Sequence, residues 1–218
     1  MPEIVIATGN PHKVEELTAI FGELGLTGLR LLCLKDVAPP GGLAEPAETG
    51  ATFEANATIK ALAYSAALNR PCIADDSGLE VDALGGRPGV ISSHYATDGR
   101  ETGTTREERD GANNARVLRE LEGVPASARS ARFRCVMVLA APGRGVLAVA
   151  SGAFEGRIGV PPDVPRGSHG FGYDPLFLVP PAYTGSSSEL SPEAKNARSH
   201  RGEAARAMAG HLRSLTLV

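Results

Sequence analysis

Cysteine is scarce in this chain: three in 218 residues, Cys33, Cys72 and Cys135, with no C-x-x-C spacing and an odd count. That excludes a disulfide-stapled scaffold and reads as reduced, packed thiols in a cytoplasmic protein. Positive charge is also in deficit. Lys and Arg number 22 against 25 Asp and Glu, for a net charge of −3, so neither a protein that coats nucleic acid nor an RNA-binding module with a basic, aromatic-laced patch fits. No apolar run approaches the length of a membrane span, and Met1-Pro2-Glu3-Ile4 carries neither the basic region nor the cleavage site of an export signal. His12, His94, His169 and His211 have no spacing that builds a zinc site. Internal repeats, low-complexity tracts and a clear linker are missing as well, which leaves residues 1–218 as one domain.

What is present is an ordinary globular balance, 42% hydrophobic and 22% charged, in a chain long enough for a sizeable α/β core. The centre of interest is Cys72-Ile73-Ala74-Asp75-Asp76-Ser77-Gly78-Leu79, an apolar run that stops at two adjacent carboxylates. A buried strand delivers side chains to the rim of a sheet in this way. Successive strand residues face opposite sides, so Asp75 and Asp76 do not share one task. If one aims into a cleft, the other braces a loop or a neighbouring amide.

Earlier in the chain, Ile4-Val5-Ile6-Ala7 ends in Thr8-Gly9-Asn10, and Pro11 follows. Asn is a good N-cap and proline suits the first helical position, so the chain opens strand, tight turn, helix. The free amides of that first turn, with Lys13, make an anion site available; an ordinary first βα unit reads the same way. Residues 29–34 form a second strand, and the Pro/Gly-rich connection after it carries Glu45, read as solvated, and Glu48, better placed to be held. From 52 to 68 runs a helix with a narrow polar stripe, Thr52, Asn56 and Lys60, between apolar faces. Lys60 there is either snorkelling or part of a cationic stripe lining a cleft.

Residues 97–111 are polar and exposed, and Thr105-Arg106-Glu107-Glu108 has capping-box spacing. Residues 131–141 read as a central strand, with a hairpin return over 146–150. In residues 166–177 glycines alternate with aromatics, giving a backbone that a ligand can approach and rings that can stack on it; the competing reading is an aromatic plug with glycine bulges. Ser191-Pro192-Glu193 starts a helix carrying Lys195, and Ser199-His200-Arg201 leads into a final one. The expected architecture is an elongated two-lobed α/β domain around a long mixed β-sheet flanked by helices, with the active-site cleft between the lobes.

The inventory is then specific: Glu48 and Asp76 as oxygen donors for a hard divalent cation, Lys13, Lys60 and Lys195 for phosphates, a ring-and-glycine segment for a base, and His200 beside Arg201 as donors. Mg²⁺ uses one or two carboxylates plus waters and substrate phosphates, so this set suits metal-assisted hydrolysis of a nucleoside triphosphate.

Six segments also resemble a known family, the inosine triphosphate pyrophosphatase-like enzymes that hydrolyse non-canonical purine triphosphates. They are Ala7-Thr8-Gly9-Asn10-Pro11-His12-Lys13, Glu48-Thr49-Gly50, Glu54-Ala55-Asn56-Ala57-Thr58-Ile59-Lys60-Ala61, Ala74-Asp75-Asp76-Ser77-Gly78-Leu79, Gly170-Phe171-Gly172-Tyr173-Asp174-Pro175 and Lys195-Asn196-Ala197-Arg198-Ser199-His200-Arg201, in family order along nearly the whole chain. Residues 97–111 look longer than is usual in the family.

The resemblance implies conversion of NTP and water to NMP and pyrophosphate, ITP, XTP and their deoxy forms as substrates, Mg²⁺ as cofactor, and a homodimer. It implies that Thr8, Gly9, Asn10, Pro11, His12 and Lys13 hold phosphates and that Asp76 is the general base. Ser77, Phe171, Gly172, Tyr173, Asp174, Lys195, His200 and Arg201 would bind substrate. A 6-oxo group would accept from Arg201 or His200, whereas adenine's 6-amino group would set donor against donor. Other readings are a pyrophosphatase for modified pyrimidine nucleotides and a sensor that holds NTP without hydrolysing it; intact Asp76, Glu48 and the three lysines argue against the sensor.

Overall fold

Isoleucine and valine fill the first strand, β1 (Glu3–Ile6), and Ile4, Val5 and Ile6 are all buried. The computed structural model describes residues 3–8, 11–26, 28–39 and 41–215. After β1 come α1 (Pro11–Glu23), β2 (Arg30–Cys33), a single turn α2 (Leu34–Val37), α3 (Phe53–Leu68), β3 (Cys72–Val81), α4 (Arg106–Glu120), β4 (Ser130–Ala141), β5 (Gly145–Ile158), the short β6 (Phe177–Leu178), α5 (Pro192–Arg198) and α6 (His200–Ser214). Strand order is β2-β1-β3-β4-β5-β6. β1 pairs parallel with β2 and β3, whereas β5 pairs antiparallel with β6, so the sheet is mixed, as expected, and helices flank it.

Two compact units share the chain. One comprises Met1–Asp76, Cys135–Gly152 and His200–Val218; the other comprises Ser77–Arg134 and Ala153–Ser199. Each has its own core. In the first, Ile4, Ile6, Leu17, Phe21, Ile73, Met137, Leu139 and Met208 pack together, with α1 against α6. In the second, Leu79, Val81, Tyr95, Val117, Leu121, Phe133, Phe154 and Phe177 do so. Phe177 stacks at tilted angles on Phe133, 4.6 Å between centroids, and on Phe154, 5.3 Å. Burying each such ring contributes about 1.5–3 kcal/mol.

Local signals set the helix ends. Thr52 caps α3 by accepting from the Ala55 amide at 3.1 Å, and Asn69 closes it in the left-handed region at φ 49°. α4 opens on the anticipated capping box: the Glu108 amide donates to Thr105 Oγ1 at 3.3 Å, and the Thr105 amide to Glu108 Oε2 at 2.9 Å. β5 runs well past the predicted return over 146–150. Its residues alternate buried and less buried through Ile158, so the periodicity continues across Gly152 and Gly156. Gly156 is there because a Cβ would lie 2.4 Å from Phe177 Cζ; this glycine admits a ring rather than ending a strand.

Candidate active site

The strand β3 presents Asp75 and Asp76 to different partners, as alternation requires. Asp75 is 4% exposed. It accepts from Lys13 Nζ at 2.8 Å and lies 3.7 Å from Arg201 Nε. Burial pushes its carboxyl up, but Lys13 and Arg201 together pull harder, and it is held well below the usual carboxylate range. Arg201, 3% exposed, also donates from Nη1 to Glu16 at 2.6 Å. Asp75 thus braces two cations, Lys13 on α1 and Arg201 on α6.

Asp76 faces α3. Lys60 Nζ donates to its Oδ1 at 3.0 Å and stands 3.2 Å from Glu48 Oε2, so one ammonium joins two carboxylates. Asn56 Nδ2 reaches Asp76 Oδ2 at 3.4 Å. Lys60 is 8% exposed, which decides its reading: the stripe Asn56–Lys60 is aimed at an acid and does not snorkel to solvent. Burial lowers the lysine's pKa, but Asp76, Asp75 and Glu48 outweigh it and the net direction is up. For Asp76 the balance goes the other way. Burial raises its carboxyl to about 6 with Glu48 adding to the rise, against the pull of Lys60. A carboxylate at that value is a far better base near neutrality than an ordinary aspartate.

Glu48 is held by a tight turn. The Gly50 amide donates to Asn56 Oδ1 at 2.8 Å, and a Cβ on Gly50 would meet Ala55 Cβ at 2.6 Å and Asn56 Oδ1 at 2.7 Å. A Gly50→Ala protein is therefore expected to lose about 1–3 kcal/mol of stability by overpacking, and to lose activity with it as Asn56 is pushed from Asp76. Thermal melts beside initial rates check this; an unchanged melting point would show that the turn gives way freely.

Ring-and-glycine residues gather in the second unit. Phe171 is 38% exposed, while Tyr173 and Asp174 are buried at 5% and 4%. Asp174 Oδ2 accepts from the Phe171 amide at 2.8 Å and from Lys195 Nζ at 2.6 Å, and the Lys195 ammonium lies 5.4 Å from the Phe171 ring centroid. Gly170 is required, since a Cβ there would sit 2.3 Å from Asp174 Oδ2. The plug reading describes part of this segment. Tyr173 and Phe177 plug the core, with the Tyr173 hydroxyl donating to Ser92 O at 2.7 Å, while Phe171 stays open.

The predicted lysines therefore divide: Lys13 and Lys60 meet carboxylates of the first unit, and Lys195 meets Asp174 in the second. Thr8 is half-buried, its amide donating to Ile6 O at 3.0 Å; Ser77 follows on β3, also half-buried. His200 is 9% exposed at the start of α6. Gly9 and Asn10 lie outside the described residues, as do the side chains of Pro11 and His12, which open α1. Glu16 and Asn56 were not among the predicted site residues. Asn56 was visible as part of the polar stripe, whereas the partner of Glu16 is 185 positions away.

Among the described residues no three His, Cys, Asp or Glu side chains group to hold a metal. A two-carboxylate set is nonetheless what Mg²⁺ takes when phosphates and waters complete its shell. Glu48 and Asp76 fit on their chemistry: two oxygen acids that already share one ammonium, Glu48 lying close enough to Asp76 to add to the rise of its pKa.

Acids and lysines thus gather in the first unit, and an exposed ring on a glycine loop in the second. A model of the Ham1 family matches residues 4–211. The dITP/XTP pyrophosphatase of Nitratidesulfovibrio vulgaris is 50% identical over 205 residues, 93% of this chain and 92% of that protein. The one from Geobacillus kaustophilus is 48% identical over 204 residues, covering 94% and 91%. Of solved structures, a HAM1 protein from Coxiella burnetii superposes with a TM-score of 0.80 at 36% identity, over 99% of this chain and 100% of that one. The nucleoside-triphosphatase / dITP/XTP pyrophosphatase of Mycobacterium abscessus gives 0.71 at 39%, over 96% and 98%. The chain belongs to the Ham1 family, as its six motifs anticipated.

Proposed function

We propose that the protein hydrolyses non-canonical purine nucleoside triphosphates, ITP, dITP and XTP, to the monophosphate and pyrophosphate, and so clears them from the nucleotide pool. It is a hydrolase acting on phosphoric anhydrides, a nucleoside triphosphate pyrophosphatase. The observation that carries the chemistry is Asp76, a buried carboxylate with its pKa raised to about 6, set 3.0 Å from Lys60 Nζ. Asp76 takes a proton from water as the water oxygen bonds to the α-phosphorus, and the bond from that phosphorus to the bridging oxygen breaks, releasing pyrophosphate. Lys60, and Lys13 on α1, offset negative charge on the phosphates. Glu48 and Asp76 would hold Mg²⁺, which supplies Lewis-acid stabilisation of the phosphoryl oxygens.

The Phe171 ring stacks on the base, with Gly172, Tyr173 and Asp174 shaping the loop and Lys195 tied to it. His200 and Arg201 supply donors to the 6-oxo group. Arg201 Nε supports that role, being buried with no hydrogen-bond partner, its nearest carboxylate oxygen 3.7 Å off. Among the described residues no helix is long and apolar enough to cross a membrane; the three free cysteines accord with a cytoplasmic setting, and we read the enzyme as a homodimer.

Pyrophosphate release from ITP, XTP, GTP and ATP, with Mg²⁺ or with EDTA, tests the reading. The expected outcome is activity on ITP and XTP, little on GTP and ATP, and near-complete loss in EDTA. Equal rates on ATP and ITP, or full activity in EDTA, would remove respectively the substrate and the metal from it. Preference for a modified pyrimidine triphosphate would install the rival enzyme instead.

A further inference from the structure

One face of α4 grips the loop that carries Phe171. Arg106, Asp110 and Asn114 recur at i, i+4 and i+8, so all three stand on one side of the helix. The Gly172 amide donates to Asp110 Oδ2 at 2.9 Å, and Asn114 Nδ2 donates to Gly172 O at 3.0 Å. Both hydrogen-bonding groups of that residue are thereby taken by a single helix. The Arg106 guanidinium lies 4.6 Å from the Phe171 ring centroid, within cation–π range, and its Nε is 3.9 Å from Asp110 Oδ2. Gly172 sits at φ +62° with nothing within 4 Å of where a Cβ would be. Its conformation is thus held by these bonds and not by crowding.

We propose that this face of α4 is a positioning element for the substrate, fixing the height and tilt of the Phe171 ring on which the nucleobase stacks and so setting base affinity without touching the reacting phosphate. The role in base capture rests on the triphosphate reading above. The residues are of the kinds a solvated helix face carries, but three of them converge on two adjacent loop residues, which random surface charge does not do. A hydrogen bond to a charged acceptor is lost with Asp110, and the ring loses its fixed register while Lys195 and Asp174 still anchor the loop from the other end.

The test uses the full chain, which contains no tryptophan, so Phe171→Trp, excited at the red edge where tyrosine does not absorb, gives a single tryptophan signal at the ring itself. In that background Asp110→Ala is expected to shift emission to longer wavelength, lower its anisotropy, and raise the Kd for ITP read by quenching about tenfold, the worth of one such bond. In the chain with Phe171 retained, Asp110→Ala should raise KM for ITP by a similar factor with kcat within about twofold, the signature of lost uniform binding. Asp110→Asn keeps an oxygen acceptor and should restore both readouts, which a general loss of folding would not allow. Unmoved emission and KM in a folded Asp110→Ala protein, or a fall in kcat at constant KM, would overturn the proposal. Should the parent protein fail to hydrolyse ITP, the triphosphate reading falls, and the emission shift alone decides whether α4 positions the ring.

Discussion

Asp76→Asn is expected to cut kcat for ITP by about 10³-fold, in the middle of the range for a lost general base, while leaving the fold intact or firmer. The stability half comes from the sign of the pKa shift. Asp76 has a folded pKa of about 6 against an ordinary 3.8, so between those values the folded chain binds the extra proton. Stability therefore falls as pH climbs through that window and stays reduced above it. Asparagine keeps an oxygen for Lys60 and carries no charge beside Glu48, so the variant should gain about 1–2 kcal/mol at pH 8, less than the full shift because some attraction to Lys60 goes too. The wild-type kcat/KM should show an acid limb near 6. A folded Asp76→Asn protein keeping a tenth of the parent rate would dismiss Asp76 as the base. A melting point well below the parent's at pH 8 would show that its charge is paired better than the burial implies.

Much of this was legible because it depends on periodicity. Alternation along β3 separates Asp75 from Asp76, and helical spacing puts Asn56 and Lys60 on one stripe of α3; both hold at the level of individual contacts. What periodicity cannot carry is partner choice at long range. Glu16 and Arg201 are 185 positions apart, and nothing in either neighbourhood names the other. The raised pKa of Asp76 is hidden for a related reason: it is set by burial and by Glu48, a residue in an irregular stretch. The extent of β5 beyond Ala150 is hidden because a glycine in a strand suits a terminator and a cradle for a neighbouring ring equally, and only the position of Phe177 separates the two at Gly156. The stripe Arg106, Asp110 and Asn114 has clear helical spacing, but a charged stripe is the ordinary surface of an amphipathic helix; its partner loop lies some 60 residues on.

Asp75→Asn should behave in the opposite way to its neighbour, with a large loss of stability. Asp75 is 4% exposed and Arg201 3%, and with Glu16 and Lys13 they form a cluster of two acids and two bases. Removing one acid leaves the Arg201 guanidinium and the Lys13 ammonium with a single carboxylate between them, inside a core where an unmatched charge costs about 3–5 kcal/mol. For a chain of 218 residues that corresponds to a fall in melting temperature of about 10 °C. The pH dependence identifies the cause. Because the folded pKa of Asp75 is depressed below its ordinary 3.8, the stability it contributes is complete above that value and drains away as pH falls beneath it. The parent should therefore lose stability more steeply below about pH 4 than Asp75→Asn does, and the two curves should converge in acid. A second substitution refines the assignment: if the charge imbalance is the fault, Lys13→Met should recover part of the loss in the Asp75→Asn background while costing stability in the parent. A melting point within 2 °C of the parent's, using the same conversion, would mean the cluster relaxes around the missing charge, and Asp75 would then need another reason to be an acid. Adjacent aspartates on one strand would thus separate cleanly, one variant stable and inert, the other unstable.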